Sequence, residues 1–180
     1  FMSDATTVPI LLDGDTGYGN FNNMRRLVSK LEQRGIAGVC IEDKIFPKTN
    51  SFLRTEAQPL ADIDEFCGKI KAGQDTKLDD DFNIIARVEA LIAGWGLGEA
   101  LKRAEAYLES GADGIVIHSR KTSHREIFEF AKYFRKISDN SPLISIPTTY
   151  NSVIESQLID MGFNIVIYAN QLFRSRSEEH

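Results

Sequence analysis

Short apolar segments alternate along the chain with segments in which apolar residues recur at helical spacing. The apolar segments are residues 8–12, 38–41, 82–88, 114–117, 143–146 and 165–168. Near-continuous apolar runs of this length are typical of parallel strands that are covered on both faces. Strands that alternate with helices predict an α/β fold, either a doubly wound sheet or a (β/α)8 barrel.

Five segments with apolar residues three or four positions apart lie between these strands and predict helices. They cover residues 21–31, 63–70, 100–108, 127–134 and 153–161. Glycine follows the last periodic residue in three of them, at Gly35, Gly111 and Gly162. Glycine at this position is a common helix stop, so we expect these helices to end there.

Polar residues at the carboxyl ends of the predicted strands favour the barrel. They are Asp13, Glu42-Asp43-Lys44, Arg87 and Glu89, His118-Ser119-Arg120, Pro147-Thr148 and Asn170. Barrel active sites are built at that face from several strand ends, whereas a doubly wound sheet concentrates its site at one switch point. We therefore predict a single domain over residues 1–180, a TIM-type (β/α)8 barrel that is incomplete, with about six βα units.

Three acidic residues at neighbouring strand ends form a candidate metal site. Asp13 and Asp15 are two positions apart at the end of an extended strand, so their side chains share one side. Glu42 ends the next predicted strand and supplies a third carboxylate. Oxygen donors without a nearby histidine or cysteine suit Mg²⁺. A capped turn is the structural alternative for the same Asp and Gly residues.

The segment that follows the second strand and runs to Pro59 has no clear periodicity. Irregular segments of this length are usually functional or disordered. Lys44, Lys48, Asn50 and Ser51 offer donors to a phosphoryl or carboxylate group. We predict a lid that closes over a ligand and excludes water, with a solvated surface loop as the alternative.

Arg87 and His118 complete the candidate site at the ends of the third and fourth strands. A guanidinium there suits bidentate binding of a carboxylate or phosphonate group, although a salt bridge with nearby Glu89 is the structural alternative. His118 fits either a hydrogen-bonded structural role or contact with a ligand, and its position on this face leaves both open.

Charge and cysteine content exclude several classes of protein. The net charge of −5 argues against the broad basic surface of a nucleic-acid-binding protein. No apolar run approaches the ~18 residues of a membrane span, so we expect no membrane contact. Cys40 and Cys67 have no partner at metal-site spacing, so we expect buried free thiols in a reducing cytosol and a cytoplasmic protein.

Four segments of the chain resemble one enzyme family. They are 13–20 (Asp-Gly-Asp-Thr-Gly-Tyr-Gly-Asn), 42–51 (Glu-Asp-Lys-Ile-Phe-Pro-Lys-Thr-Asn-Ser), 86–94 (Ala-Arg-Val-Glu-Ala-Leu-Ile-Ala-Gly) and 117–119 (Ile-His-Ser). In this order they are similar to the phosphoenolpyruvate mutase family of the isocitrate lyase superfamily, over about residues 8–170.

That resemblance implies a fold, an assembly and a metal. The fold is an α/β barrel whose last helix is exchanged between subunits, in homodimers that pair into homotetramers. The metal is Mg²⁺, bound directly by Asp13 and largely through waters by Asp15 and Glu42.

The resemblance also implies a reaction and the residues that perform it. A loop carrying Lys48, Asn50 and Ser51 would close over the substrate, and Arg87 and His118 would contact the transferring group. The reaction would interconvert phosphoenolpyruvate and phosphonopyruvate, moving phosphorus between oxygen and carbon of one small molecule.

The chain departs from the family pattern at both ends. The first two strands of the family are absent, together with a segment containing serine and glycine and an aspartate near the reacting atoms. The six strands would then correspond to strands 3–8, and the last helix is cut short after Arg176. We therefore expect these 180 residues alone to be poorly active or unstable.

Three other functions fit parts of the sequence. Phosphonopyruvate hydrolases are similar almost throughout, although they differ around the asparagine that corresponds to Asn50. Carbon–carbon lyases of the superfamily carry a Lys-Lys-Cys-Gly-His type loop, and the corresponding segment here has Lys44 but no cysteine or histidine. A non-catalytic truncated paralogue that serves as an oligomerisation partner would explain the absent strands.

Overall fold

The structure, a computed structural model, describes residues 2–48, 59–171 and 175–176. Six strands in the described residues form one parallel sheet whose order follows the chain. They are β1 (Leu11–Asp13), β2 (Gly38–Glu42), β3 (Asn83–Val88), β4 (Gly114–Ile117), β5 (Leu143–Ser145) and β6 (Ile165–Val166). The six predicted strands are therefore confirmed.

The bounds of the first and last strands differ from the prediction. β1 begins at Leu11 rather than at residue 8, because its ladder starts where Leu11 pairs with Gly38 at the beginning of β2. β6 ends at Val166 rather than at residue 168, because its partner strand β5 ends at Ser145. In both strands the length of the neighbouring strand limits the ladder.

Five α-helices lie between the strands, as predicted. They are α1 (Phe21–Glu32), α2 (Ile63–Gln74), α3 (Gly96–Glu109), α4 (Arg125–Ile137) and α5 (Glu155–Asp160), and a short 3₁₀ helix covers Met2–Asp4. The side chain of Asp62 caps α2 by accepting from the backbone N–H groups of Asp64 and Glu65. Gly35 and Gly162 have positive φ angles of 66° and 88°, which confirms the predicted helix stops.

The two faces of the sheet pack against different partners. The outer face packs against the helices in the main apolar core, which includes Ile41, Ile84, Phe66 and Phe130. The inner face carries a smaller apolar cluster formed by Cys40, Ile85, Val116, Ile144 and Ile146. Side chains alternate between the faces along each strand.

This alternation determines which polar residues face inward. Cys40 and Ile85 pair with each other on the inner face, and two positions later Glu42 pairs with Arg87. The inner face at the carboxyl end of the sheet therefore carries Glu42 and Arg87, whereas Asp43 faces the helices.

The sheet is curled. Leu11 of β1 and Ile167, which follows β6, line the same cavity, so the first and last strands approach one inner space. Within the described ranges β1 pairs with β2 alone and β6 with β5 alone. The architecture is a six-stranded parallel half-barrel with helices outside, in agreement with the predicted α/β barrel class.

Two expectations about the chain as a whole have outcomes in the structure. Cys40 and Cys67 are buried free thiols, as predicted. Among the helices in the described part of the chain, we find none with the length and apolar character that crossing a membrane requires.

Candidate active site

The turn after β1 is fastened to β2. Gly14 N–H donates to the carbonyl of Cys40 at 2.7 Å, and Glu42 N–H donates to the carbonyl of Asp15, also at 2.7 Å. Gly14 passes so close to β2 that a Cβ there would lie 2.5 Å from Val39 Cγ2. Asp15 has a φ of 57°, in the left-handed region. This backbone geometry brings the Asp15 side chain next to β2 and Glu42.

The three predicted acids face two cationic side chains. Lys48 Nζ lies 3.3 Å from Asp15 Oδ2 and 3.5 Å from Glu42 Oε1. Arg87 Nη2 lies 3.4 Å from Glu42 Oε2, and Arg87 Nη1 lies 4.0 Å from Asp13 Oδ2. Asp13, Asp15, Glu42, Lys48 and Arg87 are therefore brought together, as the sequence predicted.

Glu42 is the buried member of this group. Its side chain is 1% exposed, and among the described residues neither carboxylate oxygen has a hydrogen-bond partner. Burial raises the pKa of Glu42, and the neighbouring Arg87 opposes this effect. Buried polar oxygens normally have a partner, so this carboxylate suits a further donor such as a metal-bound water.

No three Asp, Glu, His or Cys side chains in the described ranges lie close enough together to bind one ion directly. As oxygen donors, the acids Asp13, Asp15 and Glu42 could hold a cation that retains much of its water. Mg²⁺ has this character, since it dehydrates reluctantly and takes one or two protein carboxylates.

Arg87, Glu89 and His118 form a second cluster beside the acids. Arg87 Nε donates to Glu89 Oε1 at 2.6 Å, and Arg87 Nη2 lies 3.0 Å from His118 Nδ1. His118 Nδ1 is also 2.9 Å from Glu89 Oε1. The predicted pair of Arg87 and His118 is thus brought together, and the predicted salt bridge between Arg87 and Glu89 is present as well.

The placement of Lys44 corrects the sequence interpretation. We grouped Lys44 with the ligand donors of the lid, but it is 1% exposed and its Nζ lies 3.5 Å from Glu89 Oε2. Lys44 follows Glu42 by two positions and so continues the inner face of β2. It neutralises a buried acid there. Asn50 and Ser51 lie outside the described residues, so their predicted roles stay predictions.

A cavity of about 260 Å³ opens over the inner face of the sheet. Its polar lining includes Asp13, Arg87, His118, Thr148 and Asn170. Aliphatic side chains and the Cys40 thiol line the rest. Burial raises the pKa of Cys40 to about 12, so this thiol stays protonated at neutral pH and offers no thiolate nucleophile.

A buried polar network supports the site from the helical side. Tyr107 Oη and Arg103 Nη1 donate to Asp43 Oδ2 at 2.7 and 3.1 Å. Asp43 Oδ1 accepts from the backbone N–H of Glu89 at 2.9 Å, and the Asp43 carbonyl accepts from Ala61 N–H, also at 2.9 Å. Sequence reasoning missed this network and the contact of Glu89 with His118, although it had considered a salt bridge between Glu89 and Arg87. The sequence feature that indicates both acids is the alternation of side chains between the two faces of the sheet. It continues one residue past β2 to Asp43 and one residue past β3 to Glu89.

The chain is similar to proteins of one enzyme family. The profile of the family described as Phosphoenolpyruvate phosphomutase matches residues 1–179. A phosphoenolpyruvate phosphomutase of Tetrahymena pyriformis is 58% identical over 97% of this chain and 57% of that protein.

Two solved structures share the fold. The phosphoenolpyruvate phosphomutase from Streptomyces platensis subsp. rosaceus superimposes with a TM-score of 0.93 at 44% identity, over 99% of this chain and 61% of that one. A phosphonopyruvate hydrolase in complex with oxalate and Mg²⁺ gives a TM-score of 0.88 at 39% identity, over 99% and 60%. The chain thus spans roughly three fifths of the length of each of these relatives.

Proposed function

The chain belongs to the phosphoenolpyruvate phosphomutase family, and from this premise we propose that the full-length protein interconverts phosphoenolpyruvate and phosphonopyruvate. The observation that carries the proposal is the position of Arg87, whose guanidinium lies between Glu42, Glu89 and His118 at the cavity. Such a site presents cationic donors beside a carboxylate cluster. A substrate with one phosphoryl and one enolate end would use the cationic donors directly and the carboxylates through a bound metal ion.

We infer that Mg²⁺ is the metal cofactor and that Asp13, Asp15 and Glu42 place it. The hydrogen-bonding capacity of the buried Glu42 oxygens supports this inference, as does the Mg²⁺ in the related hydrolase structure. Asp13, whose side chain is 68% exposed, is the acid most open to a direct bond. The ion, when bound, offsets negative charge on the oxygens of the pyruvate enolate.

The residues of the chain then have distinct roles in the transfer. The bond between phosphorus and the enol oxygen breaks, and a bond between phosphorus and the methylene carbon forms within the same molecule. Arg87 and His118 hold the migrating phosphoryl group, since a loose transfer depends on positioning and charge neutralisation more than on covalent help. Lys48, Asn50 and Ser51 bind the substrate from the lid and keep out water, which would give hydrolysis.

We further propose that the longer protein completes an eight-stranded barrel in which β1–β6 are strands 3–8. The matched relatives are longer, and β1 and β6 each pair on one side in the described sheet. Residues 1–180 would then be one partial barrel domain that is poorly active alone. The assembly of the whole protein as a homodimer or homotetramer with an exchanged last helix, and its cytoplasmic location, stay predictions.

The decisive experiment follows phosphorus by NMR. The full-length protein is incubated with phosphonopyruvate and Mg²⁺, and we expect the phosphonate signal to be replaced by that of phosphoenolpyruvate. Free phosphate with pyruvate would instead identify a hydrolase. An unchanged spectrum in the presence of Mg²⁺ would indicate the non-catalytic paralogue, and either result would overturn the mutase proposal.

Substitution of Asp13 by asparagine tests the metal site. We expect about a 10-fold or greater loss of Mg²⁺ affinity in the full-length protein, because a charged oxygen ligand is replaced by a neutral one. Isothermal calorimetry with MgCl₂ measures this without turnover. Asp80→Asn removes an exposed carboxylate elsewhere on the surface and serves as the control. Equal Mg²⁺ affinity in the two variants would contradict the assignment.

A further inference from the structure

Glu89 is a buried acid that contacts both residues proposed to hold the phosphoryl group. Its side chain is 0% exposed, and its Oε1 is 2.6 Å from Arg87 Nε and 2.9 Å from His118 Nδ1. Its second oxygen, Oε2, lies 3.5 Å from Lys44 Nζ. One carboxylate thus fixes the relative positions of a guanidinium and an imidazole.

The backbone of Glu89 is fixed as firmly as its side chain. Glu89 N–H donates to Asp43 Oδ1, and Asp43 is held in turn by Arg103 and Tyr107 of α3. The backbone of Glu89 is therefore anchored to the outer layer of the barrel, while its carboxylate contacts Arg87 and His118, which line the inner cavity. A change of rotamer would break contacts to Arg87 and Lys44 together.

The charge state of Glu89 follows from its neighbours. Burial alone would raise the pKa of this carboxyl, but the hydrogen bond from His118 and the charges of Arg87 and Lys44 outweigh burial and hold the pKa well below its usual range. Glu89 is therefore ionised at neutral pH and can only accept hydrogen bonds.

The contacts of His118 Nδ1 decide between two tautomers. Nδ1 lies 2.9 Å from Glu89 Oε1 and 3.0 Å from Arg87 Nη2, and a single ring nitrogen in neutral imidazole either donates or accepts. If Nδ1 accepted from Arg87, its lone pair would face the carboxylate at close range. Both bonds would be charge-assisted. Arg87 has other acceptors, however, in Glu89 Oε1 at its Nε and Glu42 Oε2 3.4 Å from its Nη2. Nδ1 and Glu89 Oε1 would be two acceptors 2.9 Å apart unless a proton lies between them, which favours the proton on Nδ1.

We propose that Glu89 is a positioning residue that keeps the proton of His118 on Nδ1 and aligns His118 with Arg87 for the migrating phosphoryl group. This inference rests on the proposed mutase function for its catalytic consequence, but its structural content does not. With Nδ1 committed to Glu89, Nε2 is the ring nitrogen that meets the ligand. The carboxylate itself does not touch substrate.

The test compares Glu89→Gln with a matched variant in the full-length protein. Glutamine keeps the size of the side chain but replaces one acceptor oxygen with a donor. Glu32→Gln is the control, because Glu32 Oε1 likewise accepts two hydrogen bonds, from the backbone N–H groups of Leu78 and Asp79 at 2.8 and 2.9 Å, but away from the cavity. ¹⁵N NMR of the His118 ring, assigned by its loss in His118→Gln, reports which nitrogen carries the proton.

We expect the wild type and Glu32→Gln to show protonated Nδ1, and Glu89→Gln to shift towards protonated Nε2. In the mutase assay kcat of Glu89→Gln should fall about 10- to 100-fold with a smaller change in KM, the range typical of residues that orient site groups through hydrogen bonds. Glu89→Asp, which keeps the charge, should recover part of both signals.

Two results would overturn the inference. One is a wild-type His118 protonated on Nε2 alone. This measurement tests the inference even if Glu89→Gln does not fold. The other is a folded Glu89→Gln whose tautomer and kcat match those of Glu32→Gln. If the wild type shows protonated Nδ1 but converts no phosphoenolpyruvate, the mutase proposal fails while the assigned role of Glu89 in orienting His118 stands.

Discussion

Substitution of Arg87 by lysine is expected to lower kcat/KM of the full-length protein by about 10²- to 10³-fold, the loss typical of removing a donor that stabilises transition-state charge. Lysine retains the positive charge, but a single ammonium cannot reach Glu42, Glu89 and His118 together as the guanidinium does. The variant thus separates the geometry of the donor from its charge.

The unfolding free energy should show the complementary effect. Arg87→Met removes the charge and leaves the buried carboxylates of Glu42 and Glu89 without their strongest neighbour, which typically costs about 3–5 kcal/mol. Arg87→Lys should cost clearly less, because a cation remains near both acids. Steady-state kinetics and urea denaturation of the same preparations measure the two effects.

Arg125→Lys is the matched control, since Arg125 is exposed at the start of α4. It should change neither kcat/KM nor the urea midpoint measurably. If Arg87→Lys kept its activity within a factor of about three of the control, the guanidinium geometry would be irrelevant and the charge alone would suffice.

The sequence was sufficient to predict the order of strands and helices and the proximity of the three acids to Arg87 at one edge of the sheet. Parallel strands bring their carboxyl ends to one edge, so the acids at the ends of β1 and β2 and Arg87 near the end of β3 had to lie close together. The register of Glu42 with Arg87 agrees with that expectation. The periodicity of apolar residues predicts which segments are strands and which are helices. The order of the strands then determines which strand ends are neighbours.

The sequence did not predict which individual charged residues are buried. Lys44 and Lys48 follow the same strand, yet Lys44 is 1% exposed beside Glu89, whereas the side chain of Lys48 is 32% exposed beside Asp15. Both lysines lie an even number of positions after Glu42, so strand alternation does not separate them. Lys44 is held in the interior by an isolated bridge to Leu60, which the sequence did not predict. The predicted start of β1 and the predicted end of β6 were wrong because the ladder of each strand extends only as far as its partner strand.

Asp43 carries the second large expected effect, on stability. Asp43→Asn should lower the unfolding free energy of the full-length protein by about 3–5 kcal/mol, because the 3%-exposed Arg103 loses its buried counter-charge. The amide would also turn a donor towards Tyr107 or Arg103, which both donate in the wild type. Urea denaturation measures the change, with Asp160→Asn at the exposed end of α5 as the control.

The effect should be partly reversible by a second substitution. Arg103→Met in the Asp43→Asn background removes the guanidinium that has lost its buried counter-charge, so the double variant should be more stable than the sum of the two single variants predicts. Additive losses would show that Asp43 and Arg103 act independently and would contradict the network.

Because of the position of Asp43, we expect Asp43→Asn to affect the candidate active site as well as the core. Arg103 Nη1 donates to the Ala61 carbonyl at 3.0 Å, and Ile45 N–H donates to the Pro59 carbonyl at 3.3 Å. The network therefore fastens both stems of the segment between Ile45 and Pro59, together with the backbone of Glu89, to α3. Asp43→Asn should consequently lower mutase activity even at urea concentrations where the variant is fully folded, whereas a purely structural role would leave the kcat of the folded fraction unchanged.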